Sequence, residues 1–396
     1  MPKKQIVFIE PQATVNSYRI ARSLKLTKRY ETILFCFAKV DKDFYNKAYD
    51  RIFVLELDHK FRLNNLIALF KKLLSKEKKY FFREMGKIEP YLFQISGPDL
   101  FTLISLFHLK ENIPKIYYSN DTWGIAKRWL LFKKFGFKGE FQRICEKICF
   151  RKVDGVLNKS SIKQFELLSY KVNVPKIALP PSPFDEFIFY SKNKNREINL
   201  VHGGNPNPTI KKRINFLEII KGVTSQKIYF HTYGPCVVEK DDMIYRREAK
   251  KNKYYCIHEK VSPYKLNEEM SKYSFGSLLD FWDETEFKKN PAMVNTDMGS
   301  KMINYLEAGL PMIVSDQMEY ITEIVKKYGL GLVINIKDLK NLREIIEKQD
   351  YVQLKKNIKK FQEEFKMSRV IKEIENFYER VATNSIKKFK RNIQNI

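Results

Sequence analysis

Residues 299–334 read GSKMINYLEAGLPMIVSDQMEYITEIVKKYGLGLVI, and their punctuation decides the fold. A helical pattern opens at Ser300, a residue type that caps helix N-termini, and ends where Gly309 and Pro311 interrupt it. Residues 312–314 are a short apolar run, which is typical of a parallel strand buried on both faces. The first half of this stretch therefore predicts a helix followed by a buried strand.

The second half of the stretch repeats that order. Asp316, with Glu319 three residues later, predicts a capping box at the start of the next helix. Gly329 and Gly331 end this helix and admit a strand at 332–334. Two connections this short predict a doubly wound α/β domain, in which ligands bind at the carboxyl ends of the strands.

The residue order of this stretch also resembles a known family. Ser-Lys-x4-Leu-x-Ala-Gly-x-Pro-x-Ile-x-Ser-Asp, followed by a helix and Gly-Leu-Gly, is similar to the nucleotide-binding segment of GT-B glycosyltransferases. Retaining enzymes of bacterial surface-polysaccharide synthesis are the most similar. The resemblance implies an α/β protein of two Rossmann-like doubly wound domains facing across a cleft. It also implies transfer of a sugar from a UDP- or GDP-sugar to an acceptor hydroxyl, without a metal or other cofactor. The alternative is another Rossmann-like protein with a similar βαβ unit.

Composition narrows the partners and the compartment. The 396 residues include 73 basic and 46 acidic ones, a net charge of +27, which predicts an anionic partner such as a nucleic acid, a membrane surface or a phosphorylated substrate. Five cysteines without a Cys-x-x-Cys pair predict a reduced, cytoplasmic protein without structural zinc. No apolar run approaches the roughly 20 residues that a membrane-spanning helix needs.

Two domains and a returning helix are expected. Alternating strand and helix patterns predict a first domain at 1–185, which faces the acceptor and the membrane and has its last strand at 153–157. Four prolines between 175 and 183 mark the boundary of a second domain at 186–375, which binds the nucleotide sugar. Residues 376–396 resemble the terminal helix of the family, which returns to the first domain, and end in a basic tail.

Two basic and aromatic segments predict contact with a membrane. Residues 62–74 form an amphipathic helical pattern that continues into a Lys- and Phe-rich cluster at 76–83, and residues 123–138 combine five aromatic with five basic side chains. Such segments suit the surface of an anionic membrane, where a lipid-linked acceptor would lie. A peripheral protein on the inner face of the membrane is therefore expected. The alternative is that these helices pack on the core and expose a solvated basic face.

Asp121 is the candidate catalytic residue of the first domain. It follows the strand predicted at 115–118, so in a parallel sheet it lies at the carboxyl edge and could orient or deprotonate the acceptor hydroxyl. The family often has a His-Asp pair near this position, where this chain has Asn120 in place of the histidine. The alternative role of Asp121 is to cap the next helix.

A glycine loop and a histidine are the candidates of the second domain. Gly203 and Gly204 follow a buried strand and would let a diphosphate approach the backbone, while Lys211 or Arg213 would complement its charge. The resemblance implies the same role, although the spacing departs from the usual form. His258 precedes a helix in what resembles the base-binding region of the family. The alternatives are an ordinary tight βα turn and a turn histidine.

The helix after Gly299 supplies the remaining candidates. Lys301, as a second catalytic residue, and Ser300 lie at its start and would meet the diphosphate; Asn304 and Glu307 follow on the same helix. Retaining members usually have two glutamates eight positions apart, and the matching positions here hold Thr296 and Asn304. Asn304 can still bond a ribose hydroxyl as a neutral group.

Three alternative functions remain open at this point. Another GT-B enzyme, such as a sugar-nucleotide epimerase or glycerol-phosphate transferase, would share the fold, and the missing glutamates suggest an inactive sugar-binding relative. The charge would also suit a nucleic-acid-binding protein, but no motif that reads DNA or RNA is present, so nucleic acid is not an expected partner. The sequence contains no phosphate-loop, zinc-protease or serine-hydrolase motif.

Overall fold

The computed structural model divides the chain into two compact units, residues 1–179 with 370–396 and residues 180–369. These boundaries lie within six residues of the expected ones at 185 and 375. Our description covers residues 2–56, 76–97, 99–120, 122–125, 137–168, 170–190, 197–204, 206, 215–236, 239–282 and 296–394.

The first domain is built on a seven-stranded parallel sheet with the order β3-β2-β1-β4-β5-β6-β7. The chain moves outward from β1 to β2 and β3 and then crosses back to β4, so the order reverses beside β1. The strands are β1 Lys4–Glu10, β2 Tyr30–Cys36, β3 Arg51–Val54, β4 Leu92–Ser96, β5 Lys115–Ser119, β6 Gly155–Asn158 and β7 Lys176–Ala178.

Helices cover both faces of this sheet. A C-terminal helix joins them: Tyr378 donates a hydrogen bond to Gln94 of β4, and a Cβ on Gly155 would lie 2.7 Å from Val381. The helices are α1 Val15–Leu26, α2 Lys42–Tyr45, α3 Lys76–Lys87, α4 Leu100–His108, α5 Phe137–Lys152 and the long α13 Met367–Gln394.

The second domain repeats the design with a six-stranded parallel sheet, order β10-β9-β8-β11-β12-β13, which reverses between β8 and β11. Its strands are β8 Asn199–His202, β9 Tyr229–Tyr233, β10 Tyr255–His258, β11 Phe275–Leu278, β12 Met312–Ser315 and β13 Gly331–Ile334. Its helices are α6 Phe216–Thr224, α7 Glu239–Lys251, α8 Pro263–Met270, α9 Ser300–Glu307, α10 Glu319–Tyr328, α11 Leu342–Glu347 and α12 Tyr351–Phe365. Both sheets show the predicted doubly wound α/β order.

Several local predictions were wrong. Residues 153–157 are not the last strand of the first domain, because Lys176–Ala178 adds β7 beside β6. Ser300 is not a cap but the first residue of α9, which follows Gly299 and has no side-chain cap. Asp316 does not cap α10, since that helix begins after Met318 and the Asp316 carboxylate instead accepts a hydrogen bond from Asn335 at 2.7 Å.

The cysteines lie buried or half-buried in the two domains. All five carry free thiols. Cys145 and Cys149 are completely buried, and burial raises the pKa of the Cys145 thiol to about 12, so both are inert core residues at neutral pH.

Candidate functional site

The glycine loop of the second domain lies where the strand order reverses, at the carboxyl end of β8. The Gly203 N–H donates to the Tyr305 hydroxyl at 2.9 Å, and that hydroxyl donates to the Ser277 carbonyl at 2.9 Å. The Gly204 N–H donates to the His202 carbonyl at 2.8 Å. Both glycine N–H groups therefore already donate to acceptors within the protein and are not available to a ligand.

Tyr305 is the support beneath this loop. Tyr305 belongs to α9, and its side chain is fully buried in the domain core. A Cβ on Gly276 of β11 would lie only 2.3 Å from its Cγ. A Cβ on Gly203 would lie 2.7 Å from the Met270 sulfur and 3.2 Å from the Tyr305 ring. Only glycine leaves room for the ring at these two positions, and the ring in turn fixes the height of the loop above the sheet.

Lys301 lies beside the loop. It is the second residue of α9, and a Cβ on Gly204 would lie 3.2 Å from its Cε. The helix has no side-chain cap at Gly299, so its first turn carries the positive end of the helix dipole. The structure thus brings together Gly203, Gly204 and Lys301 around one end of β8.

The other predicted residues of α9 separate into two groups. Ser300 is exposed at the start of the helix, and Asn304 is half-buried one turn after Lys301, on the same face. Glu307 is fully buried; its carboxylate accepts from the Phe184 N–H at 2.9 Å and from Asn267 at 2.6 Å. Both oxygens of this carboxylate accept hydrogen bonds in the core of the domain, and the predicted contact of Glu307 with the nucleotide stays a prediction.

His258 ends β10 within a cluster of aromatic side chains. Its Nε2 lies 2.9 Å from His231 Nδ1 and 3.3 Å from the Tyr273 hydroxyl, and its ring stacks on Tyr233 with centroids 4.8 Å apart. Burial lowers the pKa of His258, and burial together with His258 lowers the pKa of His231 to about 3. Both rings are neutral at physiological pH.

The carboxyl edge of the first sheet is polar and internally bonded. Ser119 at the end of β5 lies 3.1 Å from Thr122, which donates to Gln164 at 2.8 Å. Asn16 donates to Asn120 at 3.5 Å, so the position next to Asp121 faces the start of α1. Asp121 itself lies outside the described residues.

Glu10 is a residue of this edge that the sequence analysis missed. It ends β1, is 1% exposed, and accepts a hydrogen bond from the Thr14 N–H at 3.0 Å. Burial raises the pKa of Glu10 to about 7, against the hydrogen bonds from Ser17 and Thr14, which lower it. The signal in the sequence was a carboxylate directly after a run of four apolar strand residues, Ile6 to Ile9.

The basic segments of the first domain are partly described. Residues 62–74 and 126–136 of the first domain lie outside the described part of the chain, and so do Lys211 and Arg213 of the second domain. In α3, Phe81 and Phe82 are buried against the core and do not form a surface cluster, which corrects that prediction.

Two aromatic side chains of the first domain are nevertheless exposed, each with a cation close to its ring. Tyr80 of α3 is 52% exposed with the Arg83 guanidinium 5.5 Å from its ring centre. Phe107 of α4 is 64% exposed with the Lys152 ammonium 5.7 Å from its ring centre. No helix in the described ranges is both long enough and apolar enough to cross a membrane.

Comparison with known proteins supports the family resemblance. Residues 214–376 match the family model described as glucosyltransferase 3-like, C-terminal domain. The match covers most of the second domain and the first part of α13. No curated protein matches the chain.

Solved structures share the fold over nearly the whole chain. The pneumococcal O-GlcNAc transferase GtfA, solved in complex with UDP and GlcNAc, superposes with a TM-score of 0.63 at 9% identity, covering 96% of this chain and 99% of that one. TarM gives 0.62 at 12% identity over 96% and 99%, and a glycosyltransferase from Rickettsia africae gives 0.61 at 10% identity over 97% and 100%. The chain has the GT-B fold, and the family model confirms its resemblance to glycosyltransferases of this type.

Proposed function

We propose that this GT-B protein transfers a glycosyl group from a nucleoside-diphosphate sugar, with UDP as the first candidate, to an acceptor hydroxyl. The second domain binds the donor, and the first domain receives the acceptor. The observation that carries the proposal is the position of Lys301 against Gly204, at the reversal point of the second sheet. UDP is favoured because GtfA, which shares the fold, was solved with UDP.

The proposed chemistry depends on charge at the leaving group. Breaking the glycosidic bond of the donor leaves a diphosphate, and its charge grows as the bond lengthens. Lys301 and the first turn of α9 supply positive charge at that place, beside Gly204. These groups would serve without a metal ion. Lys211 or Arg213 would add a second cation, and Asn304 would hold the ribose.

The acceptor side of the proposal rests on the first domain. Asn120 follows β5 at the carboxyl edge of the first sheet, and Asp121 is the next residue of the sequence; its carboxylate would orient the attacking hydroxyl or remove its proton. The resemblance to enzymes of surface-polysaccharide synthesis favours a retained anomeric configuration and a glycan or lipid-linked acceptor.

An anionic membrane is the proposed location of that acceptor. The net charge of +27 and the exposed pairs Tyr80 with Arg83 and Phe107 with Lys152 suit the headgroup region, since each basic residue near an anionic surface contributes about 1 kcal/mol. The protein would then work as a peripheral membrane protein on the cytoplasmic side.

Nucleotide binding is the direct test of the donor site. We expect UDP to raise the melting temperature of the wild-type protein and Lys301→Ala to weaken UDP binding by at least about tenfold, because a charge-assisted contact is lost. Lys326→Ala, in the exposed last turn of α10, is the matched control and should bind UDP normally. Equal UDP binding by Lys301→Ala and the wild type would refute the assignment, and a larger response to GDP would change the base.

Product analysis tests the reaction class. Incubation of the protein with UDP-sugars and extracted lipid acceptors should yield a glycosylated lipid and UDP, with activity retained in a chelator. Free sugar alone, an epimerised donor or a glycerol-phosphate product would point to the other GT-B reactions. Binding of UDP without turnover would favour the inactive sugar-binding relative suggested by Thr296 and Asn304.

Vesicle binding tests the membrane surface. We expect co-sedimentation with anionic vesicles that weakens with salt and falls when Tyr80 and Phe107 are both changed to Ser. Leu167→Ser removes another exposed apolar side chain of the same domain, 46% exposed, and should have little effect. Stronger salt-dependent binding to oligonucleotides than to vesicles would instead support a nucleic-acid partner.

A further inference from the structure

We infer that His258 presents an unprotonated Nδ1 at the carboxyl edge of the second sheet and uses it to select a donor base that carries a ring N–H, uracil over cytosine. This inference rests on the proposed nucleotide-sugar function and adds a residue that determines the base. It follows from a chain of hydrogen bonds that fixes the proton position on His258.

The chain of bonds begins at Asn199, on the first residue of β8. The Asn199 amide nitrogen donates to the Glu197 carbonyl at 3.0 Å, so its amide oxygen is the atom that faces His231 Nε2 at 3.2 Å. An oxygen at this place accepts, and His231 Nε2 therefore carries the proton. Since His231 is neutral, its Nδ1 has a lone pair.

The second step passes this assignment to His258. His231 Nδ1 lies 2.9 Å from His258 Nε2 and carries a lone pair. Because a lone pair can only accept a hydrogen bond, His258 Nε2 must carry the proton and donate it. A neutral imidazole has one N–H, and His258 Nδ1 is left as an acceptor. Among the described residues no hydrogen bond reaches this nitrogen, and the His258 ring is half-buried.

The surroundings hold this arrangement in place. The His231 and His258 rings lie with centroids 5.2 Å apart, and the Tyr273 ring lies 4.5 Å from that of His231. The Tyr273 and Tyr233 hydroxyls are 2.7 Å apart and form a hydrogen bond, so the two phenol side chains hold each other in place beside the imidazoles. Burial lowers the pKa of both histidines, so neither ring gains the second proton that would remove the acceptor at neutral pH.

The position of His258 suits a nucleobase. His258 pairs with Tyr233 across β10 and β9, and His202 pairs with Thr232 across β8 and β9, which puts Gly203 level with Tyr233 and His258. This row spans two strand spacings, about 10 Å. That distance is comparable to the span between the base and the phosphates of a nucleoside diphosphate. With the phosphates at Gly203 and Lys301, the base would lie near His258.

The discrimination is a matter of one hydrogen atom. The N3 atom of uracil carries a hydrogen and donates to an acceptor, whereas the N3 atom of cytosine has a lone pair and would face the lone pair of His258 Nδ1. A site with a fixed acceptor therefore rejects cytosine, because two acceptors leave each other unpaired.

Titration calorimetry with UDP and CDP on the full chain tests the inference. We expect the wild type to bind UDP at least about tenfold more tightly than CDP, and His258→Phe to bring the two affinities to within about threefold of each other. His231→Phe keeps His258 but removes the partner that fixes its proton, and should reduce the UDP preference as well. N3-methyl-UDP should bind the wild type no better than CDP does.

A second measurement does not depend on ligand binding. The chain has only five histidines, so nitrogen-15 NMR can assign the His258 ring and report which nitrogen carries the proton. We expect the Nε2–H form in the wild type and a mixture in His231→Phe. A proton on Nδ1 in the wild type, or an unchanged UDP-to-CDP ratio in His258→Phe, overturns the inference while leaving the proposed function intact. Failure of the protein to bind any nucleoside diphosphate overturns both.

Discussion

The carboxyl edges of the two sheets are built from the same fold and differ in what they offer a ligand. The second edge has two glycines, a lysine and the start of α9, supported from below by the buried Tyr305. The first edge has Glu10 at the corresponding reversal point of its own sheet. The Glu10 carboxyl group is buried and accepts a hydrogen bond from the Thr14 N–H. One edge provides positive charge beside a glycine loop, and the other provides a buried carboxyl group within a hydrogen-bonded loop.

The difference indicates which domain would bind a diphosphate. An anion gains from Lys301 and the dipole of α9, whereas at the first edge it would meet the buried carboxyl group of Glu10, which is partly ionised near neutral pH because burial raises its pKa to about 7. A neutral hydroxyl is the ligand that suits the first edge better. The proposed division of donor and acceptor between two similar sheets would then follow from a few side chains at the ends of β1 and β8.

The largest expected effect tests the support of the second edge. Gly276→Ala would place a methyl group 2.3 Å from the Tyr305 ring, which must move out of a packed core, so we expect a loss of about 3 kcal/mol or more in the free energy of unfolding. Urea denaturation measures it. Gly86→Ala, in α3 of the first domain, meets nothing within 4 Å and should be neutral or slightly stabilising. A Gly276→Ala protein as stable as the wild type would show that the ring is not a rigid support.

A smaller effect is expected from removing one oxygen. Tyr305→Phe keeps the ring but leaves the buried Gly203 N–H and Ser277 carbonyl without their hydrogen-bond partner. The free energy of unfolding should fall by about 2 kcal/mol. The glycine loop should also lose its fixed height, so UDP binding should weaken. Tyr190→Phe, at a side chain 59% exposed, is the control. If unfolding free energy falls but UDP affinity is unchanged, the loop does not depend on this hydroxyl.

The smallest expected effect concerns the first edge and depends on pH. The pKa of Glu10 is raised from 4.5 to about 7 in the folded protein, so its contribution to stability is full below pH 4.5 and is lost as pH rises to about 7. Glu10→Gln keeps a neutral acceptor for Thr14, and we expect it to be about 1–2 kcal/mol more stable than the wild type at pH 8 but not at pH 4.5.

Denaturation at the two pH values measures this difference, with the exposed Glu166→Gln as the control in the same domain. A Glu10→Gln protein that is less stable at pH 8 would mean that the charged carboxylate is needed, and the two edges would then differ less than we infer.

The order of helices and strands was predictable because glycine and proline residues end these elements, and such residues can be recognised from the local sequence. The turns at Gly309, Gly329 and Gly331 correctly separated helix from strand in the second domain. The nearness of Gly204 and Lys301 agrees with the sheet topology, since Gly204 follows β8 and α9 connects β11, the neighbour of β8, to β12.

Other features could not be predicted, because they depend on contacts between distant parts of the chain. Nothing in the residues around Tyr305 indicates that its hydroxyl joins Gly203 to Ser277. Glu307 lies on the same helix as Lys301, but its carboxylate accepts hydrogen bonds from Phe184 and Asn267, which are far away in sequence. The caps at Ser300 and Asp316 failed because residue type favours a cap without fixing where the helix starts.

The discontinuity of the first domain has a consequence for biosynthesis. Its sheet is translated before residue 180, but α13, which packs Tyr378 and Val381 onto that sheet, is translated only after the second domain. The intervening domain is contiguous at 180–369 and is able to mature on the ribosome while the earlier sheet still waits for its final helix. A nascent chain halted before α13 would expose the apolar patch around Gly155, and a chaperone is expected to bind there until synthesis is complete.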